Sequence, residues 1–130
     1  MGSWFNETLA KHGRPEYEGL RLLSLEEVLD RYRHCVRLCI ELKQPHAAPG
    51  VERELLRLLG MYELDLFEGG DHRVMVMTSN QRCLRSLASL HPALPLTKLF
   101  PKMHTSRSIR GRLNEVRDYV TSIGVPQRVV

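Results

Sequence analysis

The sequence predicts a single α+β domain in which several helices pack on one antiparallel β-hairpin. Apolar residues first recur at helical spacing behind a helix-capping motif, and their spacing then changes to strict alternation after residue 61. The strand–helix–strand alternation typical of a parallel sheet is not evident. The predicted order is α-α-α-β-β-α-α within one domain over 1–130, with 1–20 as a loosely ordered arm and 124–130 as a tail. A chain of 130 residues that is 42% hydrophobic fits one such domain.

The central element is predicted to be an amphipathic helix over 25–42. Ser24 and Glu27 form a capping box, in which each residue satisfies the backbone amide of the other. Behind it, apolar side chains recur at helical spacing: Leu25, Val28, Leu29, Tyr32, Cys35, Val36, Cys39 and Leu42. On the polar side Arg37 and Glu41 stand four residues apart, as a favourable helical ion pair does. Pro45 ends the helix.

Two further helices flank this one, at 3–12 and at 51–59, and the hairpin follows. Alternation over 62–66, a Gly-Gly turn within 68–71 and a return over 73–78 are typical of two paired strands. The register stays open, because a two-residue loop sets Leu64 opposite Met75 whereas a three-residue loop sets it opposite Val76.

The last third is predicted to hold two helices separated by an extended segment. Ser79 or Asn80 caps a helix that runs to about His91, and proline-broken residues 92–101 lie on the core, with an edge strand possible at 96–100. A final helix over 106–123 carries one apolar stripe: Ile109, Leu113, Val116, Val120 and Ile123.

Charge is distributed unevenly along the chain. Residues 1–71 hold 9 Lys+Arg and 13 Asp+Glu, whereas residues 72–130 hold 10 Lys+Arg and only Glu115 and Asp118 as acids. The two parts of the chain therefore carry formal net charges of −4 and +8. Such asymmetry indicates either an acidic partner or charges that pair within the protein.

The basic residues of the final helix predict a binding surface for phosphate groups. Arg107, Arg110, Asn114 and Arg117 share one arc of that helix, and Arg112 and Lys102 extend it. The favoured interpretation is a small non-enzymatic protein that binds the backbone of nucleic acid, RNA more than DNA, as a homodimer. Internal neutralisation by the acidic half is the competing interpretation.

The alternative function is that of an adaptor or regulatory protein. Met75 and Met77 would lie on the outer hairpin face, where flexible thioethers suit protein contact. Glu26 and Asp30 would offer an acidic face of the central helix. Helices covering both sides of the sheet would instead bury the methionines.

No catalytic residue, metal site or cofactor is predicted. Cys35, Cys39 and Cys83 are interpreted as buried core thiols, since zinc sites present paired ligands at short spacing. Glu63 and Asp65 share one side of the predicted hairpin and are interpreted as solvated. An odd cysteine count and no visible secretion signal predict a cytoplasmic or nuclear protein without a membrane partner.

Overall fold

A computed structural model describes residues 6–65, 72–100 and 106–125, with 106–109 described by their backbone alone. The chain forms two compact units, Met1–Arg31 and Tyr32–Val130. Across the described residues no helix is long and apolar enough to cross a membrane.

The first unit confirms the predicted capping box. Helix α1, Leu25–Tyr32, begins in this unit after the 3₁₀ helix Pro15–Tyr17. The Glu27 amide donates to Ser24 Oγ over 3.2 Å, and the Ser24 amide donates to Glu27 Oε2 over 2.8 Å. Hydrogen bonds from Arg21, and then from the Ser24 amide, lower the pKa of Glu27 to about 2. These contacts are all within a few residues, which is why the sequence reveals them.

The second unit is built on a four-stranded parallel sheet, so the predicted antiparallel hairpin and the α+β class are wrong. Its strands are β1 Leu38–Glu41, β2 Val74–Thr78, β3 Leu96–Leu99 and β4 Ser122–Gly124. They lie side by side in the order β1-β2-β3-β4, and every neighbouring pair is parallel.

Helical crossovers connect the strands, as parallel pairing requires. The 3₁₀ helix Pro45–Ala47 and α2, Val51–Met61, lie between β1 and β2. Helix α3, Gln81–Leu90, lies between β2 and β3, and α4, Ser106–Asn114, between β3 and β4. Spatial order follows chain order, as in β/α barrels, whereas a doubly wound sheet reverses its order at a switch point.

The two faces of the sheet differ in exposure. The covered face is defined by the residues in register with Val76: Leu38, Ile40, Val74, Val76, Thr78, Leu96, Lys98 and Ile123. The open face is defined by the alternate positions: Cys39, Glu41, Met75, Met77, Thr97, Leu99, Ser122 and Gly124. Covered-face residues of β2 and β3 are buried, whereas Cys39, Glu41, Met75 and Ser122 are exposed on the open face.

Helix α3 packs against β2, β3 and α2. Leu84 and Leu87 of α3 and Leu59 of α2 are fully buried, and each helix presents one apolar side to this layer. Asn80 caps α3 by accepting from the Cys83 amide over 3.0 Å, which confirms the predicted start of this helix.

The predicted central helix ends ten residues early, because 38–41 pair with β2 as a strand. The amide of Leu38 donates to the Arg73 carbonyl and that of Leu42 to the Met77 carbonyl. Arg37 and Glu41 therefore lie at opposite ends of an extended segment about 13 Å long, and not on one side of a helix.

The predicted first hairpin strand is also wrong. Tyr62 caps the C-terminus of α2, and Glu63 adopts a left-handed φ of 56°. Leu64 is buried, but its amide bonds to the Leu59 carbonyl next to the helix end. The predicted turn at 68–71 and Leu66 lie outside the described residues.

The final helix ends at Asn114, so the later residues of its predicted apolar stripe lie outside the helix. Val116 is buried with Phe100 in a small cluster, against which Val120 and Ile123 pack. Ile123 lies in β4. The strand predicted at 96–100 exists, but β3 is an inner strand, paired on both sides.

Candidate active site at the carboxyl end of the sheet

Parallel strands end at the same edge of a sheet, so the residues that follow them come together there. In both barrel and open α/β proteins this carboxyl end carries the binding and catalytic groups. Here it is formed by Glu41 to Gln44 after β1, by Ser79 and Asn80 after β2, and by Phe100 after β3.

Glu41 and Lys43 are the charged side chains at the end of β1. Positions two apart on an extended chain share a face, and the Lys43 ammonium lies 3.9 Å from Glu41 Oε2. Both side chains are exposed, at 80% and 41%, so this ion pair adds little to stability. Gln44 then turns the chain with a left-handed φ of 46°, and the buried Pro45 begins the next 3₁₀ helix. A carboxylate and an ammonium group thus lie close together at the carboxyl end of β1.

Thr78 connects this segment to the end of β2. Its fully buried hydroxyl donates to the Leu42 carbonyl over 2.7 Å and accepts from the Asn80 amide over 3.1 Å. The Leu42 amide donates to the Met77 carbonyl over 2.9 Å. Both backbone groups of the residue between Glu41 and Lys43 are therefore bonded to β2.

Lys98 adds a connection from β3. Its ammonium donates to the Ser79 carbonyl and lies 5.4 Å from the centre of the Phe100 ring. Burial, and next the positive charge of Arg112, lowers the pKa of Lys98. The lysine is only 8% exposed, and its ammonium bonds to the backbone of the segment between β2 and α3.

The opposite, amino end of the sheet has a different character. A depression of about 290 Å³ there is lined by Arg37, Leu38, Cys39, His72, Met75, Pro95 and Thr121. At this end Thr121 Oγ1 accepts from the Leu96 amide over 3.2 Å. Its residues precede the strands or stand at their first two positions, at the end that in barrel proteins serves stability.

The residues predicted to bind phosphate do not form the row that the sequence indicated. Arg110 and Arg112 are exposed on α4 and Asn114 ends that helix, but Arg117 lies in the following turn, 3.5 Å from Asp118. The side chain of Arg107, and Lys102 altogether, lie outside the described residues. A common helical arc through 107–117 is therefore lost, because the helix stops at 114.

The residues predicted for protein contact lie apart. Met75 and Met77 share the open face as expected, with Met75 exposed and Met77 half-buried, although the element is a parallel strand. Glu26 and Asp30 are exposed on α1. A role for these four residues in binding a partner stays a prediction.

The interpretation of three core thiols is wrong for two of them. Cys83 is buried, and burial raises its pKa to about 12, but Cys35 and Cys39 are exposed. Glu63 and Asp65 do not lie on a strand. Within 6–65, 72–100 and 106–125, no three His, Cys, Asp or Glu side chains are grouped as metal ligands.

The fold and its carboxyl end are those of an α/β protein with charged groups where enzymes of this class act. No protein-family model matches the chain. It is similar to a glycerophosphodiester phosphodiesterase of Bacillus subtilis (strain 168), with 31% identity over 123 residues, 95% of this chain and 42% of that protein. It also resembles YhdW of the same bacterium, named as a candidate for that activity, with 25% identity over 124 residues, 95% of this chain and 45% of YhdW. The chain thus spans less than half the length of these curated relatives.

These similarities overturn the functional prediction from sequence. A non-enzymatic RNA-binding protein, or an adaptor, is contradicted by relatives whose names describe a hydrolase. Glu41 and Lys43 were also missed as candidate site residues, since the sequence pattern placed Glu41 on the polar side of the predicted central helix. The available signal was the short apolar run 38–40 followed by charged residues and Pro45, which is as consistent with a buried strand as with a helix.

Proposed function

We propose that this chain hydrolyses glycerophosphodiesters at the carboxyl end of its parallel sheet. The observation that carries the proposal is the match of 95% of the chain to a glycerophosphodiester phosphodiesterase. In such a reaction water attacks phosphorus, one P–O ester bond breaks, and an alcohol leaves with a proton while a phosphomonoester remains.

The carboxyl end of the sheet supports this chemistry. A phosphodiester is an anion, and the exposed Lys43 ammonium offers it a positive charge at the end of β1. Glu41 beside it offers oxygen atoms that accept a proton or bind a hard divalent cation. One carboxylate supplies only part of a cation site, so the assay includes buffers with and without magnesium.

The test is a hydrolysis assay on the purified chain with glycerophosphocholine, following release of the phosphomonoester. Lys43→Met removes the charge but keeps the length of the side chain, and we expect kcat/KM to fall about a hundredfold. Arg37→Met removes a charge from the opposite end of the same strand and serves as the matched control, with kcat/KM expected to stay within about threefold.

A wild-type chain without activity in either buffer would contradict the proposal. Equal losses in the two variants would contradict the placement of the site at the carboxyl end. Circular dichroism and thermal unfolding of each variant establish that the comparison is made between folded proteins.

A further inference from the structure

The buried Thr78 hydroxyl joins the ends of β1 and β2 at one point. It donates to the carbonyl of Leu42, the residue between Glu41 and Lys43, and accepts from the amide of Asn80. A single hydroxyl therefore bonds to the segments that follow two neighbouring strands, and it is fully excluded from water.

This position limits how the Glu41–Lys43 segment can move. The Leu42 amide bonds to the Met77 carbonyl, and Gln44 on the other side adopts a left-handed conformation. Lys43 is therefore enclosed between a residue bonded at both backbone groups and a sharp turn. Its own side chain is 80% exposed, so the protein constrains Lys43 through its backbone, which fixes where the flexible side chain begins, and not through side-chain packing.

A valine at this position would keep the shape of Thr78 but would leave the Leu42 carbonyl without this donor. Leu42 is half-buried, and its carbonyl, once without this donor, would shift towards water or another partner, since an unsatisfied polar group is costly. The segment after β1 would then move relative to β2, and a displacement of about 1 Å is enough to impair a reacting geometry.

We propose that Thr78 is a positioning residue that holds Glu41 and Lys43 in place for the reaction through the Leu42 carbonyl. This inference rests on the proposed function, because it needs a reaction in which those two side chains take part. Thr78 itself is fully buried on the covered face, so it would act through the backbone that it bonds.

The experiment compares variants that differ by the hydroxyl alone. Thr78→Val is matched to the wild type, and Thr78→Ala is matched to Thr78→Ser. We expect Thr78→Val and Thr78→Ala to lower kcat/KM for glycerophosphocholine at least about tenfold, while Thr78→Ser stays within about threefold. Should Thr78→Val fail to fold, the Ala and Ser pair decides. Thr121→Val removes a hydroxyl that accepts from a strand amide at the amino end, and should leave kcat/KM unchanged.

A second arm separates positioning from a general loss of structure. Because Thr78 would act through Glu41 as well as Lys43, Thr78→Ala should lower kcat/KM by a smaller factor in the Lys43→Met background than in the wild type, whereas independent effects would multiply. Amide hydrogen exchange at Leu42 and Asn80, measured without substrate, should be at least about tenfold faster in Thr78→Ala than in Thr78→Ser.

The outcomes are distinguishable. An inactive wild type overturns the proposed function, and this inference with it, whatever the exchange rates show. An active wild type in which Thr78→Ala equals Thr78→Ser, or in which the Thr78 and Lys43 effects multiply, overturns the positioning role alone.

Discussion

The covered and open faces of the sheet are made by the same strands, yet they have different environments. On the covered face Val74, Val76 and Leu96 are buried in the second unit, and helix α3 packs against β2 and β3. On the open face Cys39 and Met75 are exposed, and the charged Glu41 ends β1. Adjacent residues of one strand thus face a packed core on one side and an exposed surface on the other, because side chains alternate along a strand.

The largest expected effect on stability is at the helix layer on the covered face. Leu84 is fully buried on α3, and Leu84→Ala removes apolar contacts and leaves a cavity. We expect the free energy of unfolding to fall by about 2–5 kcal/mol, measured by urea denaturation. A loss below about 1 kcal/mol would show that α3 does not carry the core of the second unit.

The reactivity of the three cysteine thiols provides a chemical test of which side chains are buried. Burial, and next a hydrogen bond with Glu52, raises the pKa of Cys83 to about 12, so its reactive thiolate is scarce at pH 8. We expect a thiol reagent at that pH to label Cys35 and Cys39 at least about a hundredfold faster than Cys83. Mass spectrometry after timed quenching measures the three rates.

Raising the pH provides the control for the thiol experiment. The pH cannot be raised to the pKa of Cys83 without a risk of unfolding the protein. The three labelling rates are therefore compared between pH 7 and pH 9, where the protein stays folded. Comparable labelling of all three cysteines in folded protein at pH 8 would contradict the burial of Cys83.

The smallest effect is expected on the open face. Met75 is 36% exposed, and Met75→Ala removes side-chain atoms that already contact water in part. We expect the free energy of unfolding to change by less than about 1 kcal/mol in the same denaturation experiment. A loss as large as that of Leu84→Ala would mean that something covers this face in solution, and the distinction between the two faces would then fail.

The sequence predicted the helix caps better than it predicted the residues of the candidate site. Asn80 was correctly predicted as a possible cap of α3, because capping depends on residues three apart. Glu41 and Lys43 were missed, because their importance follows from where β1 ends, and the apolar spacing around Cys35 and Cys39 also fits a helix. Thr78 was missed because its partner Leu42 is 36 residues away in sequence.

What the sequence determined by itself is therefore short-range: the start of α1 at its capping box, the start of α3 at Asn80, and the helical character of 51–59. What only the tertiary structure decided is which segments pair. A four-residue strand such as β1 has too few residues for its period to exclude a helix, and its parallel partner β2 begins more than thirty residues later. Parallel pairing across such a distance depends on the helical crossovers that join the strands and pack on the assembled sheet, so it cannot be read from either strand's own sequence.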